Sequence, residues 1–255
     1  TLNLCIMALI TIGGIGFTVL DDLRRNRKWK KLRLHSKIVL TASAILTFGG
    51  TLVILALEYT NPATLGGMPN ELDKWMAAAF QAVTCRTAGF NTIDLTDMRA
   101  SSLFFMVLLM GIGASPTSTG GGMKTTTLAV LVSSALSVFR KKEHTHFFGR
   151  QIPDGTIRNA ATIFLMYIVL FLVGGMVISS TEDIPLMTAL FETASAIGTV
   201  GLSLGITPDL GLVSHIILIC LMFFGRVGGL TLIFATISEK KPNGSKYPQE
   251  KITVG

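Results

Sequence analysis

Long uncharged stretches alternate with short charged segments along the chain. Four of these stretches have the length of a membrane-crossing helix: residues 2–20, 38–57, 160–179 and 210–237. Two others, residues 75–83 and 186–196, are too short to cross a bilayer and could only enter and return. The hydropathy pattern therefore predicts an all-α polytopic membrane protein that contains two half-membrane helices.

A further crossing is interrupted. Residues 103–112 and 128–139 are both apolar, but the segment between them contains Pro116 and three consecutive glycines, residues 120–122. At about 1.5 Å per residue, ten helical residues cover roughly half of a hydrocarbon core about 30 Å thick. Proline and a run of glycines do not continue a regular helix, so the freed backbone groups must face water or protein. We expect a Gly-rich break, residues 113–124, near the middle of the membrane.

A glycine-containing loop follows each half-membrane helix. The first glycine loop contains Thr87, Ala88, Gly89, Phe90 and Asn91, and the second contains Thr199, Val200, Gly201, Leu202 and Ser203. Both loops consist of threonine, a small or β-branched residue, glycine, an apolar residue and a small polar residue. The order of span, half-membrane helix, glycine loop and span occurs twice, which indicates an internal repeat of roughly 110 residues.

The repeat divides the chain into three parts. Residues 1–25 precede the two copies of the repeat and contain one apolar stretch of spanning length, in which Gly13, Gly14 and Gly16 are typical of a helix that closely approaches a neighbour. The other two parts are a helix–pore loop–broken helix repeat and a second helix–pore loop–helix repeat with a cytoplasmic tail: residues 26–140 and 141–255. We expect repeated helix–pore loop–helix units of a potassium-channel-like pore.

The glycine loops have the composition of an ion filter. Glycine permits positive φ and lets the carbonyl groups on both sides of it turn the same way. A ring of such carbonyls can replace the hydration shell of an ion. The half-membrane helices would point their partly negative C-terminal ends toward the pore and so favour a cation. The alternative is that the two loops are ordinary turns between helices.

Composition and charge indicate a membrane protein with a defined orientation. Hydrophobic residues make up 49% of the 255 residues and charged residues 15%, which is unlike a soluble domain. The net charge of +7 is concentrated in three basic clusters next to the ends of apolar spans: residues 24–37, 140–150 and 240–251. By the positive-inside rule these clusters and the C-terminus are cytoplasmic. They predict contact with anionic membrane lipid and not with nucleic acid.

Two ionisable residues lie close to the predicted loops. Glu192 falls inside the second half-membrane helix, where it is either a functional group or a structural carboxylate that accepts hydrogen bonds from loop amides. Arg86 directly precedes the first glycine loop. Because a cation there would repel conducted cations, we expect Arg86 to point away from the pore, toward a carboxylate. Both residues are predicted to support the filter.

Arg226 lies midway along the apolar stretch 210–237, where burial of an arginine costs about 3 kcal/mol or more. It must therefore face a cavity. One interpretation is that it caps carbonyl groups of the Gly-rich break, and the other is that the same contact forms a gate in the ion path. The predicted gate comprises Ser118, Thr119, Gly120, Gly121, Gly122, Lys124 and Arg226. Lys124 is expected on the cytoplasmic side of the break.

The sequence offers no candidate for enzymatic chemistry. Residues 113–125 resemble a phosphate-binding loop, but Met123 separates Gly122 from Lys124, and apolar runs flank the segment. The sequence contains no nucleophile with a nearby base and no metal-ligand pattern. We expect neither enzymatic activity nor a covalently bound cofactor.

Four motifs in order resemble the Trk/Ktr/HKT superfamily of potassium transporters, and most of all the membrane subunit of the bacterial Ktr system. The motifs are residues 84–91, 115–125, 198–203 and 225–228. The resemblance covers the whole chain and implies K⁺ as the transported ion, with Na⁺ as a candidate for symport. It also implies four span–loop–span repeats around one pore. By this resemblance, residues 1–25 would be the last transmembrane helix of the preceding, second repeat, and residues 26–140 and 141–255 would be the third and fourth repeats.

The resemblance also implies roles for residues and partners. Gly89 and Gly201 would be filter glycines, the Gly-rich break a gating loop, and Arg226 the residue that faces it. The protein would be a homodimer in the bacterial cytoplasmic (inner) membrane, docked on a cytosolic nucleotide-binding ring that controls the gate. We therefore expect potassium translocation through backbone carbonyls. Since two of four filter loops would lie outside this chain, the alternative is an incomplete fragment or accessory subunit that does not conduct alone.

Overall fold

The computed structural model describes residues 2–142 and 144–228, which fold mainly into helices. In chain order these are α1 (Leu2–Ile15), α2 (Phe17–Arg25), α3 (Leu34–Glu58), α4 (Glu71–Thr84), α5 (Ala100–Gly111), α6 (Thr125–Phe139), α7 (Asp154–Glu182), α8 (Leu186–Ile197) and α9 (Leu212–Val227). A short antiparallel hairpin precedes α7 and consists of β1 (His146–Phe147) and β2 (Arg150–Gln151).

Long and short helices alternate as the hydropathy pattern predicts. Helices α3 and α7 contain 25 and 29 residues and are apolar enough to cross a membrane. Helices α4 and α8 contain 14 and 12 residues, and at about 1.5 Å per residue they reach only part of the way across. The predicted break separates α5 from α6, which contain 12 and 15 residues.

Each half-length helix packs against the long helix that precedes it, α4 against α3 and α8 against α7. Phe80 of α4 and Phe191 of α8 are both almost completely buried. One hydrophobic cluster joins the two repeats, because it includes Ala82 of α4, Met106 of α5 and Phe191 of α8. Burial of this apolar surface fixes the two half-length helices in one core and so positions the loops that follow them.

In both repeats a glutamate at the end of the long helix binds the start of the next span. Glu58 accepts hydrogen bonds from the backbone N–H of Arg99, at 2.9 Å, and from the hydroxyl of Ser102. The first N–H groups of a helix have no partner within the helix, so a carboxylate there is stabilising. The second repeat contains the same arrangement in Glu182, Gly211 and Ser214. This repeated contact ties the two spans of each repeat together.

The first apolar stretch, residues 2–20, which hydropathy predicts as one span, is divided between two helices. Helix α1 ends at Ile15 and α2 begins at Phe17, with a bend of 91° between them. Gly16 lies at the bend with a φ of 98°, and a Cβ added there would lie 2.5 Å from the carbonyl oxygen of Pro116. The bend requires both a residue that tolerates positive φ and contact with a distant loop. Hydropathy carries no information about the second condition.

Only the first part of the last predicted span, residues 210–237, falls within the described residues. Helix α9 ends at Val227, and Gly228 has a φ of 86°, so Arg226 lies in the last turn of α9. Residues 229–237 of the predicted span and the predicted cytoplasmic tail lie outside the described residues.

Candidate functional site

The two glycine loops have the same backbone conformation. Thr87 and Gly89 have φ values of 63° and 79°, and Thr199 and Gly201 have values of 53° and 91°. In each loop the residue between them has a negative φ. Backbone that alternates between positive and negative φ can turn successive carbonyl groups toward one side, as a carbonyl-lined filter would require. Each loop directly follows the C-terminal end of a half-length helix, α4 or α8.

The loops touch each other at their glycines. A Cβ added to Gly89 would clash with the carbonyl oxygen of Val200. A Cβ added to Gly201 would lie 3.9 Å from the Cα of Gly89. The first loop therefore leaves no room for a side chain at residue 89, whereas the second loop has more space at residue 201.

Hydroxyl groups in the last turns of α4 and α8 support the loops. Thr84 donates a hydrogen bond to the carbonyl oxygen of Phe90. Ser195 accepts one from the backbone N–H of Gly201 at 3.1 Å. Both Thr84 and Ser195 are buried. These contacts connect each loop to the helix that carries it. Thr84 belongs to the sequence motif of residues 84–91, whereas Ser195 lies outside the motifs found in the sequence.

Glu192 supports the C-terminal end of the second glycine loop. It is 4% exposed and accepts hydrogen bonds from the hydroxyl of Ser203 at 2.8 Å and from the backbone N–H of Leu204 at 2.9 Å. Its other oxygen accepts one from the hydroxyl of Thr207 at 2.9 Å. These contacts are those of a structural carboxylate, which was one of the two interpretations of this residue. Gln81 is buried at the matching position of α4.

Arg86 has a different partner from the expected one. Its guanidinium group donates to the hydroxyl of Ser43 on α3 at 3.0 Å, and the side chain is 5% exposed. Among residues 2–142 and 144–228, no carboxylate forms an ion pair with Arg86. The expected carboxylate is absent from this contact because α3 has no acidic residue between residues 38 and 57. The head group is nevertheless directed toward α3.

The Gly-rich break packs against the start of both glycine loops. Its two ends lie close together, since Ile112, the residue before the break, forms a β-bridge with Met123. A Cβ added to Gly120 would clash with the hydroxyl oxygen of Thr87, and a Cβ added to Gly121 would clash with the hydroxyl oxygen of Thr199. Only glycines can approach both threonines this closely. The break therefore fills the space next to the first residue of each loop.

Helix α9 holds the break through two contacts. The backbone N–H of Gly122 donates to the carbonyl oxygen of Gly225 at 2.9 Å. The guanidinium group of Arg226 donates to the carbonyl oxygen of Thr119 at 2.7 Å. The predicted contact between Arg226 and the break is thus present, one residue before the glycine triplet. A contact of this kind is compatible with both capping and gating.

Two polar side chains of the break bind its own backbone. The ammonium group of Lys124 donates to the carbonyl oxygen of Gly120 at 2.8 Å. The hydroxyl of Ser118 donates to the carbonyl oxygen of Ser115 at 2.6 Å. Together with Arg226 and Thr119, all the predicted gate residues belong to one connected structure.

An acidic residue lies shortly after the first glycine loop. Asp94 is exposed, and hydrogen bonds from the hydroxyl and the backbone N–H of Thr96 lower the pKa of its carboxyl group below the ordinary value. Asp94 therefore remains anionic at neutral pH, which favours cations near this loop.

These features define a class of protein, namely an all-α polytopic membrane protein built from repeated helix–pore loop–helix units. The sequence profile of the TrkH family, described as a cation transport protein, matches residues 1–246. The chain belongs to this family, and the predicted fold class and family are confirmed. The relatives are transport proteins, in line with the exclusion of an enzyme.

Individual relatives agree with this assignment. The chain is 41% identical over its whole length to Ktr system potassium uptake protein B of Bacillus subtilis and 38% identical to potassium/sodium uptake protein NtpJ of Enterococcus hirae, covering 57% of each. The crystal structure of the potassium transporter TrkH from Vibrio parahaemolyticus has a TM-score of 0.75 at 20% identity, over 92% of this chain and 52% of TrkH. The chain thus spans little more than half the length of these proteins.

Proposed function

We propose that the chain takes part in potassium translocation through a filter of backbone carbonyls. The observation that carries this proposal is the matched conformation of the two glycine loops, each with threonine and glycine at positive φ. Their carbonyl groups would replace the water around the ion, and the C-terminal ends of α4 and α8 favour a cation. The filter would comprise Thr87, Ala88, Gly89, Phe90 and Asn91 with Thr199, Val200, Gly201, Leu202 and Ser203.

The names of the relatives guide the choice of ion. The Bacillus subtilis relative is named for potassium uptake and the Enterococcus hirae relative for potassium and sodium. We propose K⁺ as the transported ion and Na⁺ as the ion for symport.

The Gly-rich break and Arg226 would form the gate. Because Gly120 and Gly121 occupy the space next to Thr87 and Thr199, an ion that leaves the loops meets the break. The bond from Arg226 to Thr119 would hold the break in place, and its positive charge would oppose the passage of a cation. Opening would require movement of the break away from Arg226.

Glu192 and Arg86 would support the filter in different ways. Glu192 holds the C-terminal end of the second loop through three hydrogen bonds. Arg86 is anchored to Ser43, which keeps its positive charge directed toward α3.

The proposal includes the location and the assembly of the protein. The basic clusters support a bacterial cytoplasmic membrane with basic loops and C-terminus inside, and with the three parts at residues 1–25, 26–140 and 141–255. The word "system" in the name of the Bacillus subtilis relative supports a further subunit, which we propose to be a cytosolic nucleotide-binding ring. A homodimer is proposed on the family resemblance alone.

We propose that the groove between α3 and α6 binds an anionic phospholipid. Its volume is about 430 Å³, its walls include Ile45 and Val132, and Arg140 and Lys142 lie at one end. An acyl chain would lie along the apolar wall while the two cationic side chains bind the phosphate. This groove would give the predicted lipid contact a specific place.

Replacing Arg140 and Lys142 by glutamine is expected to reduce the phosphatidylglycerol that copurifies with the protein. Each basic residue near a membrane surface contributes about 1 kcal/mol, so the pair corresponds to roughly thirtyfold in affinity. Lipid extraction followed by mass spectrometry measures the change. Lys30→Gln with Lys31→Gln removes the same charge away from the groove. An equal loss of phosphatidylglycerol in this control would contradict a specific site.

Growth of a bacterium that lacks potassium uptake tests the proposed function. We expect the gene product at its full encoded length to restore growth at low K⁺ and to accumulate radioactive rubidium. Failure of that protein to do so would contradict potassium translocation.

A second candidate function, an accessory subunit or fragment that assembles with other chains, is favoured by the 57% coverage of the relatives. Rescue by these 255 residues alone would contradict the second candidate.

A further inference from the structure

The Gly-rich break caps the end of α1. The backbone N–H of Ser115 donates to the carbonyl oxygen of Gly14 at 3.1 Å, and that of Thr119 donates to the carbonyl oxygen of Gly13 at 3.4 Å. The last carbonyl groups of a helix have no partner within it, and α1 ends at Ile15. The break thus supplies the donors that α1 lacks because of the bend.

The start of α2 completes the contact. The backbone N–H of Phe17 donates to the carbonyl oxygen of Thr117 at 3.1 Å, and the hydroxyls of Thr18 and Thr117 lie 2.8 Å apart. Thr117 itself has a φ of 60°. We call the set of contacts between residues 13–18 and residues 115–119 the clamp. The clamp pairs backbone groups from both sides of the bend with groups of the break.

A straight helix would not need the clamp. In a continuous α-helix the N–H groups of Phe17 and Thr18 would bind the carbonyl oxygens of Gly13 and Gly14 directly. The backbone groups at the bend therefore have two arrangements in which they are satisfied, one bent with the break attached and one straight with the break released. Since unpaired backbone groups are costly inside a membrane, intermediate arrangements are disfavoured. Bending at Gly16 and attachment of the break favour each other.

Thr119 connects the clamp to Arg226. Its N–H binds Gly13 and its carbonyl oxygen binds Arg226, so one peptide segment is held from both α1 and α9. On the other side, Asp22 of α2 accepts hydrogen bonds from the backbone N–H of Arg33, at 3.0 Å, and from the hydroxyl of Ser36, at 2.5 Å. The clamp is therefore linked through α2 to the basic segment that precedes α3.

We propose that Gly16 and Thr18 are positioning residues of the gate, and that straightening of α1 and α2 releases the Gly-rich break. This inference rests on the proposed gating function of the break. The clamp would be a second restraint on the break, on the side away from α9. Because α2 links the clamp to the segment before α3, a displacement of residues 24–33 would also move the gate.

The first test compares two glycine substitutions in the full-length gene product. Gly16→Ala is expected to raise rubidium flux by roughly tenfold, the ratio that corresponds to loss of about one hydrogen bond. An alanine at residue 16 disfavours the φ of 98° and meets Pro116. Gly149→Ala is the matched control, because Gly149 also has a positive φ, of 75°, and a Cβ there has no neighbour within 4 Å. Equal flux in the two folded variants would overturn the proposal.

The second test does not depend on how well Gly16→Ala folds. Thr18→Cys combined with Thr117→Cys is expected to form a disulfide in high yield, since the two hydroxyls are in contact. Oxidation should lower rubidium flux, and reduction should restore it. Thr18→Cys alone is the control for the native cysteines. Failure to cross-link, or cross-linking without a change in flux, would overturn the proposal.

The cross-link also separates this inference from the proposed function. Its yield is measured on a gel without any ion transport. If no variant carries rubidium, the proposed function fails. In that case the yield of the disulfide between residues 18 and 117 alone tests whether bending at Gly16 and attachment of the Gly-rich break depend on each other. A lower yield after Gly16→Ala supports it, and an unchanged yield contradicts it.

Discussion

Substitution of Gly89 by serine is expected to lower the preference for K⁺ over Na⁺ by about tenfold or more. Gly89 has a φ of 79°, and a Cβ there would clash with the carbonyl oxygen of Val200. A strained backbone of this kind costs about 1–3 kcal/mol, and each 1.4 kcal/mol corresponds to about tenfold. To relieve the clash the first loop must move away from the second. The spacing of the carbonyl groups, on which discrimination between the ions depends, then changes.

Uptake of both ions by the full-length gene product measures this change. Gly205→Ser is the matched control, because Gly205 has a φ of 88° but no neighbour within 4 Å of an added Cβ. Gly201→Ser tests the second loop in the same way, since Gly201 also has a positive φ, of 91°. We expect the effect only where all filter loops are present. An unchanged ion ratio in Gly89→Ser would contradict the assignment of residue 89 to the filter.

The parts of the site that could be predicted depend on local chemistry. A half-length apolar helix followed by a threonine and a glycine restricts the backbone whatever surrounds it, and both loops adopt the expected positive φ at Gly89 and Gly201. The interruption between α5 and α6 was also predictable, because Pro116 and the glycine triplet cannot continue a helix.

The parts that could not be predicted depend on contacts between distant segments. Gly13, Gly14 and Gly16 indicate close approach to a neighbour, but the bend follows from the contact of Gly16 with Pro116, a hundred residues away. Arg86 was expected beside a carboxylate, whereas the neighbouring helix offers only the hydroxyl of Ser43. Charge alone does not identify the partner of a buried arginine.

The repeated glutamate contact had a signal in the sequence that hydropathy does not use. Glu58 and Glu182 each end a long apolar stretch, and each binds a serine near the start of the following span, Ser102 or Ser214. A search for matching polar residues at the boundaries of the two repeats would have found both pairs. Such residues show where the repeats share tertiary structure even though their sequences have diverged.

Replacement of Arg226 by alanine is expected to raise potassium flux by about ten- to a hundredfold. The substitution removes the hydrogen bond to the carbonyl oxygen of Thr119 at 2.7 Å, and a bond from a charged donor is worth about 1.5–3 kcal/mol. The backbone bond between Gly122 and Gly225 remains, so the break keeps one contact with α9. Rubidium uptake by the protein reconstituted in liposomes measures the flux.

Two further substitutions of Arg226 separate the bond from the charge. Arg226→Gln keeps a donor without a positive charge, and Arg226→Lys keeps the charge without the planar guanidinium group. If flux is low in the glutamine variant but high in the lysine variant, the hydrogen bond to Thr119 is the restraint. If flux is low in the lysine variant but high in the glutamine variant, the positive charge is the restraint. Arg99→Ala, which removes an exposed arginine bound to Leu57 and Thr60, is the control. Unchanged flux in Arg226→Ala under all conditions would reject the gating role, because capping of Thr119 would then serve the fold alone.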